Sequence, residues 1–337
     1  MLNLDPDRFQ AIQSGALALA PAIDEAIATR LNAGVRNLFF LGTGGAAILM
    51  QPAAQILQRR SGLPVFTDVT AELVSAGHPA LGQGSLVVIP SVSGTTKESV
   101  AALGFARERG ADVLALVGHD GTPLALQASQ AFINFADDQT APESLYLQSL
   151  LVALSVMAHR GEFAAYTETV RELSLLPRLL IAAKQSFAAE AERLATALAP
   201  ETYHIVTGAG GSWAPAWYVS MCVLEEQQWL RTRPVHAADF FHGTFELVET
   251  GVSVIVLKGE DHARPLCERA EAFARRFTDR LTVLDAAAVE LEGLSPATRA
   301  LISPVILSTL LERLTVHLAV KRNHPLDQRR YYRKVSY

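Results

Sequence analysis

Leu86-Val87-Val88-Ile89-Pro90-Ser91-Val92-Ser93-Gly94-Thr95-Thr96-Lys97-Glu98-Ser99-Val100 is the stretch on which the fold turns. Its apolar start, Leu86 to Pro90, has the character of a buried strand. Glu98 to Arg109 carries helical apolar spacing and stops at Gly110. Between them lie small hydroxyl residues around one glycine. A helix N-terminus offers unpaired N–H groups and partial positive charge, so a strand that passes through such a loop into a helix makes an anion cup. Ser91, Ser93 and Thr96 can add hydroxyl donors to the same anion, and Gly94 can take backbone angles other residues resist. The competing reading is a serine-rich turn that only caps a helix. A cap needs one hydroxyl and this loop supplies several, which favours the anion.

Working outward, the layout occurs twice. Leu38-Phe39-Phe40-Leu41-Gly42-Thr43-Gly44-Gly45 is a strand running into a glycine turn, and His204-Ile205-Val206-Thr207-Gly208-Ala209-Gly210-Gly211 repeats it 166 residues later. At the same offset Leu86–Pro90 corresponds to Val252–Val256. Two landmarks at one spacing indicate tandem α/β domains of similar plan. Asp7 to Ala33 and Glu98 to Arg109 read as helices, and Asp112 to Gly118 as another buried strand. That alternation predicts parallel sheets with helices on both faces. Tyr166 to Leu198 reads as a helical connection that Pro177 interrupts or kinks, and the domains are expected at 1–165 and 166–337.

The second repeat replaces the hydroxyl loop with Leu257-Lys258-Gly259-Glu260-Asp261, whose carboxylates repel a phosphate. A phosphate site is therefore expected in the first half only, with Thr43 and Gly44 supplying further contacts. Gly42, Gly44 and Ala47 also fit the looser dinucleotide pattern, but that would leave the hydroxyl loop without a purpose.

The chain has 337 residues, half of them apolar, a net charge of −5 and a pI near 6.0. This balance argues against a nucleic-acid partner. No apolar run stands out as membrane-spanning, and Met1 to Asp7 lacks the basic start and apolar core of a signal peptide. Cys222 and Cys267 are the two cysteines and do not form a Cys-x-x-Cys pair, so a cytoplasmic protein without a disulfide framework or thiolate zinc site is expected. His236 and His242 lack the supporting spacing for a metal site, and none is expected.

Ser91, Ser93, Gly94 and Thr96 match, position by position, the Ser-x-Ser-Gly-x-Thr phosphate signature of the sugar isomerase (SIS) family, which this sequence resembles over nearly its whole length. The resemblance implies two flavodoxin-like domains, each with a parallel five-stranded sheet flanked by helices, and a phosphosugar ligand. Glu226, in Val223-Leu224-Glu225-Glu226-Gln227-Gln228-Trp229, and His242, in Asp239-Phe240-Phe241-His242-Gly243, are 16 residues apart. That spacing resembles the isomerase half of glucosamine-6-phosphate synthase, where it implies a proton-transferring Glu and a ring-opening His that reaches across a homodimer interface. Lys334 resembles the family's tail lysine. The plainer readings are a solvated helical Glu, a structural His and a surface tail; loop, spacing and repeat together favour catalysis for Glu226 and His242, while Lys334 stays balanced between site and tail. The turn Asp137-Asp138-Gln139-Thr140-Ala141-Pro142-Glu143-Ser144 resembles the third sugar-contacting loop. It departs from the Ser-Thr-Lys of many relatives, and Glu143 suits an amine.

Met1-Leu2 cannot supply a cysteine nucleophile for releasing ammonia from glutamine, so the synthase reaction is not expected of this chain alone. The ending His324-Pro325-Leu326-Asp327-Gln328-Arg329-Arg330-Tyr331 resembles the fructosamine and fructoselysine 6-phosphate deglycases. The resemblance then implies release of glucose 6-phosphate and an amine, with no cofactor. The rivals are an aminosugar-6-phosphate deaminase or aldose–ketose isomerase, and a catalytically silent phosphosugar sensor.

Overall fold

The computed structural model describes residues 2–136, 140–332 and 334–336. The first compact unit is Pro6–Pro177; the second is Arg178–Tyr337 together with Met1–Asp5. The division falls at Pro177 and Arg178 rather than at residue 165.

In the first unit the chain runs α1 (Pro6–Ala18), α2 (Ala20–Asn32), β1 (Asn37–Gly42), α3 (Gly45–Arg60), β2 (Val65–Val69), α4 (Thr70–Ala76), β3 (Ser85–Ser91), α5 (Lys97–Glu108), β4 (Asp112–Val117), α6 (Pro123–Gln127), β5 (Gln130–Ile133), α7 (Ala141–His159) and α8 (Tyr166–Leu173). The helix expected over 7–33 is two helices, because Pro21 at the start of α2 cannot continue the helix before it. The strands form one parallel sheet in the order β2-β1-β3-β4-β5. This is the flavodoxin-like order, whose direction reverses between β1 and β3. Every residue of β3 is buried, as befits a central strand covered on both faces. Its pairing with β1 ends at Val88 opposite Phe40. Pro90, which has no N–H to give, lies beyond that pair, where the two strands part. A core of Phe39, Leu41, Val87, Ile89, Leu103, Val113 and Val117 fills one side of the sheet, and α7 packs on α2 and α3.

The second unit continues with α9 (Leu176–Leu198), β6 (Tyr203–Gly208), α10 (Trp213–Tyr218), a π-helical turn at Val219–Glu225, β7 (Arg231–His236), β8 (Ser253–Lys258), α11 (Arg264–Phe277), β9 (Leu281–Asp285) and α12 (Pro296–Lys321). Pro177 opens α9 rather than kinking a longer helix. The sheet order is β7-β6-β8-β9, parallel throughout. Among the described residues this sheet has four strands, which corrects the expectation of five. After β9 the chain enters Ala286-Ala287-Ala288, a 3-10 turn, and then α12, capped by Ser295. That segment lacks the β-branched alternation a fifth strand needs. The repeat itself is shifted by one residue between landmarks: Leu38 stands beside Leu86, and its equivalent His204 stands beside Ser253 rather than Val252.

Two helices, Ala141–His159 and Pro296–Lys321, are long and apolar enough by composition to cross a membrane, contrary to the sequence expectation. They are 94% and 83% buried inside the fold, which marks them as core helices.

Candidate active site

The hydroxyl loop sits where the first sheet reverses direction. β1 delivers the turn Gly42-Thr43-Gly44-Gly45 into α3, and β3 delivers Ser91–Thr96 into α5. Both helices therefore begin at the carboxyl edge of neighbouring strands, the edge at which ligands bind in open α/β sheets. Within the loop the hydroxyls hold one another. Ser91 Oγ and Thr96 Oγ1 are 3.1 Å apart, the Gly94 N–H donates to Ser91 Oγ at 3.1 Å, and Thr95 donates from both N (3.3 Å) and Oγ1 (3.1 Å) to Ser93 Oγ. Thr96 occupies the N-cap position of α5 but its side chain makes no cap bond; its hydroxyl faces Ser91 instead. Thr43 Oγ1 is buried with no hydrogen-bond partner. A buried hydroxyl without a partner is costly unless a ligand completes it. Gly94 is fixed by geometry: its φ is +63°, and a Cβ there would lie 2.1 Å from Thr122 Oγ1.

Glu226 is presented by an unusual device. α10 gives way to the π-helical turn at Val219–Glu225, where the Glu226 N–H donates to Met221 O at 3.2 Å and that of Gln228 to Val223 O at 2.9 Å, both five residues back. Such wide turns are rare and recur at functional sites. Trp229 then takes a left-handed φ of +55°, a conformation that a bulky residue keeps only when its surroundings hold it. They do: the His324 ring meets Trp229 edge-on at 4.4 Å, and the Arg330 guanidinium lies over it at 4.1 Å. Gln228 donates to His324 O at 2.8 Å. The C-terminal tail is thus fastened over the turn that carries Glu226.

A cavity of about 510 Å³ opens there, bounded by Glu225, Glu226, Trp229 and Leu230 on one side and by Arg231 and the tail residues 329–332 on the other. The Arg329 Nε donates to the Glu226 carboxylate at 2.8 Å. Lys334 Nζ in turn donates to Arg329 O at 2.5 Å. Glu226 and Lys334 are therefore linked through Arg329. Glu225 is not merely solvated; its carboxylate accepts from Thr232 Oγ1 on β7.

His242 lies on an exposed turn, its N–H bonded to Asp239 O at 2.9 Å, and does not line the cavity that holds Glu226. Glu143 and Ser144 are fully buried in the first turn of α7. Ser144 Oγ accepts from Asn134 Nδ2 at 2.7 Å and Gln148 Nε2 at 2.9 Å. Asp137, Asp138 and Gln139, from the same expected sugar loop, and Arg333 in the tail lie outside the described residues. Sequence reasoning singled out neither Arg329 nor Trp229. The only signal for them was the density of Arg and Tyr in the tail, which a solvated surface displays equally well.

In the second unit the equivalent cup is filled from within. Gly210, with φ +56°, repeats the bend of Gly44. The Gly211 N–H donates to Asp261 Oδ2 at 2.6 Å and that of Ala263 to Asp261 Oδ1 at 2.8 Å. Around it Arg299 grips Glu260 in a two-pronged pair at 2.7 and 3.0 Å, Arg264 grips Asp285 at 2.7 Å, and Lys258 pairs with Glu271 at 2.7 Å. Burial pushes the Asp285 carboxyl up, but hydrogen bonds from Arg264, the Ala287 N–H and Lys258, with the Lys258 charge, outweigh it and hold the carboxyl down at about 2.

The profile of the SIS domain matches residues 33–159. Over 309 residues the chain is 32% identical to fructosamine deglycase FrlB of Bacillus subtilis strain 168, covering 90% of this chain and 93% of that protein. The chain belongs to the SIS-domain family. This SIS-domain protein is also 26% identical to fructoselysine 6-phosphate deglycase of Escherichia coli K12, over 93% of its own length and 90% of the relative's. A crystal structure from Bacillus subtilis, provisionally called a phosphosugar isomerase, superposes with a TM-score of 0.89 at 29% identity, covering 96% of this chain and 99% of that one.

Proposed function

We propose that this SIS-domain protein is a fructosamine-6-phosphate deglycase, which uses one water to convert its substrate into glucose 6-phosphate and a free amine. The observation that carries this reading is Glu226, delivered by the π-helical turn into a cavity roofed by the chain's own tail. Its likeness to two deglycases, over nearly the full length of each, supports it. The 6-phosphate docks on Ser91, Ser93, Thr96 and the Thr43–Gly44 backbone, and Gly94 gives the loop its bend. Anchoring that remote group fixes the reacting carbons. His242 moves a proton from the anomeric hydroxyl to the ring oxygen and opens the ring. The Glu226 carboxylate takes a proton from C1 of the ketoamine and returns it at C2, while the nitrogen's own proton passes to the C2 oxygen, so the C2 carbonyl becomes a hydroxyl and an imine is left between C1 and nitrogen. Water adds to C1, the C–N bond breaks, and the amine departs with the proton it needs. The substrate's nitrogen shares the developing charge, so the step asks for no cofactor. Arg329 aims Glu226, and Lys334 braces Arg329. Glu143 and Ser144 are fully buried at the start of α7, so their proposed part is to support the site from beneath rather than to touch the sugar.

The exposed turn of His242 suits a residue that serves a partner copy, and we propose a homodimer with shared sites. The cytoplasm is the proposed compartment, consistent with two buried free thiols. The test is a coupled assay for glucose 6-phosphate from fructosamine 6-phosphates, with glucosamine 6-phosphate and fructose 6-phosphate alongside. Glu226→Gln is expected to lower kcat by about a thousandfold while sugar phosphate still binds. Near-full turnover in that variant overturns the assignment, and product from glucosamine 6-phosphate alone moves the protein to the deaminases.

A further inference from the structure

His242 is exposed, and among the described residues no hydrogen bond steadies its side chain. Its position is therefore set by the backbone of its turn. That turn is closed twice, by the His242 N–H donating to Asp239 O at 2.9 Å and the Phe245 N–H to Phe240 O at 3.0 Å. Gly243 then takes a φ of +125°, which favours glycine, and leads into a 3-10 turn at Thr244–Leu247. Three phenylalanines bracket the histidine: Phe240 and Phe241 before it and Phe245 after it. All three meet one ring on α11. The centroid of Phe273 lies 6.0, 5.5 and 5.8 Å from theirs, each pair edge to face. Phe277, one helical turn on, backs Phe273 at 4.6 Å. One turn earlier, Arg269 lays its guanidinium over Phe241 at 4.1 Å. Residues 269, 273 and 277 are four apart and share one face of α11. Edge-to-face pairs and a cation above a ring both fix orientation as well as distance. Phe241, joined directly to His242, is thus held by one ring at 85° to its own and by a cation over its face.

Resting on the deglycase reading, we infer that Phe273, with Arg269, is a positioning residue for ring opening: it holds the turn of residues 240–245 so that His242 meets the ring oxygen of the sugar. In that step the C2 hydroxyl gives up its proton, the bond from C2 to the ring oxygen breaks, and the ring oxygen takes a proton. C2 becomes a carbonyl and the 5-hydroxyl is set free. Proton transfer asks for heavy atoms within about 2.6–3.2 Å of one another, and a misplacement of about 1 Å can cost on the order of a hundredfold. An imidazole without a bond of its own keeps that tolerance only if its backbone is held. The phenylalanine cluster and the Arg269 cation supply the hold from a single helix face. A cluster that served only to fill the core would slow every step alike when weakened, whereas a positioning role slows ring opening alone.

The experiment uses a substrate that skips the step. The 6-hydroxyl carries the phosphate, so the ring closes through the 5-hydroxyl, and a 5-deoxy analogue is permanently open while still needing Glu226. The full-length enzyme is given the fructosamine 6-phosphate with the highest kcat/KM in the coupled panel, and the 5-deoxy analogue of that compound, with release of the free amine read for both. Phe273→Leu is expected to lower kcat on the ring-closing substrate about tenfold, with KM little changed, and to keep the wild-type kcat on the open one. His242→Ala is expected to show the same split, more strongly. If Phe273→Leu does not fold, Arg269→Gln, a change at an exposed residue, is expected to lower kcat severalfold on the ring-closing substrate alone. An equal fall on both substrates, or no fall on either, overturns the inference and leaves the deglycase intact. A wild-type enzyme that turns over the ring-closing substrate but not the open one uses the ring for something other than opening it, and that also overturns the inference. Silence across the whole panel removes the deglycase reading and this inference with it.

Discussion

Gly44 and Gly210 make the same left-handed bend, at φ +57° and +56°, just past the first strand of each sheet. What meets the bend differs. In the first half the neighbouring loop brings hydroxyls that bond to one another, and Thr43 Oγ1 is left buried without a partner. In the second half the neighbouring loop brings Asp261, which accepts the Gly211 and Ala263 N–H groups. One cup is lined by neutral hydroxyls, and the other already contains a carboxylate. A helix start that offers bare N–H groups must be satisfied. A chain can leave that to a ligand or supply a carboxylate itself, and in the second half this chain supplies the carboxylate. The half that closed its cup carries Glu226 and the tail that covers it.

The comparison can be broken most severely by giving the first half what the second has. Ser93→Asp places a carboxylate in the open cup. It should still fold, because an Asp side chain accepts from the N–H two residues on, as Ser93 Oγ now does from Thr95. Two like charges within contact distance repel strongly, and the expected result is a fall in kcat/KM of a hundredfold or more, seen mainly as a raised KM. An unchanged KM would mean that the phosphate does not bind in this loop. The converse change, Asp261→Ala, leaves two N–H groups for water to satisfy. At a partly buried position the expected cost is about 1–3 kcal/mol, or several degrees in the melting temperature of the second half, with kcat retained. The three tryptophans, Trp213, Trp217 and Trp229, all lie in that half, so fluorescence reports its unfolding separately from circular dichroism. A melt unaltered by the substitution would show that Asp261 is incidental.

How much of this was legible depended on range. The strands, the glycine turns and the hydroxyl loop are local patterns of a few residues, and they stand where the sequence placed them. The loop Leu257 to Asp261 was read as hostile to phosphate, which its charges announce. That Asp261 turns inward onto the glycine turn depends on contact with a glycine 50 residues away, which no local pattern records. The fifth strand of the second sheet was an expectation taken from the family resemblance, and the local composition of residues 286–295 argued against it. Arg329 is 103 residues from Glu226, and only the folded tail joins them. The π-helical turn left no periodic signature, because seven residues are too few to separate its period from that of an α-helix.

A third difference between the halves lies inside the sheets. Where β1 and β3 place Leu38 beside Leu86, β6 and β8 place His204 beside Ser253. His204 is fully buried, with Nδ1 2.8 Å from Ser253 Oγ and Nε2 unpartnered. Burial, then the Arg322 charge, lowers its pKa to about 4. The unfolded chain takes up a proton near 6.5, which the folded chain refuses until about 4. The second half is therefore fully stable above about 6.5 and loses stability as pH falls through that window, by up to about 3 kcal/mol from this residue. His317 and His324 are lowered as well and act in the same direction. His204→Leu with Ser253→Ala imitates the first half; its tryptophan-monitored stability is expected to fall less between pH 7 and pH 5 than that of the wild type. An equal fall in both proteins would assign the acid sensitivity elsewhere.

The smallest effect concerns the two thiols, which also belong to the second half alone. Burial first, and then the charges of Glu226 and Glu225, push the Cys222 thiol up to about 12. The thiolate is the reactive form, so alkylation of the native protein at pH 8 should be slow and should become fast on unfolding. Glu226→Gln removes one of the nearby charges while leaving the burial in place. Because burial is the larger cause, the rate at Cys222 should rise by no more than a few-fold, and Cys267, which lacks Glu226 among its influences, should not change. A large rise at Cys222 would mean that the substitution had loosened the π-helical turn, and any loss of activity in that variant would then have to be attributed to structure before chemistry.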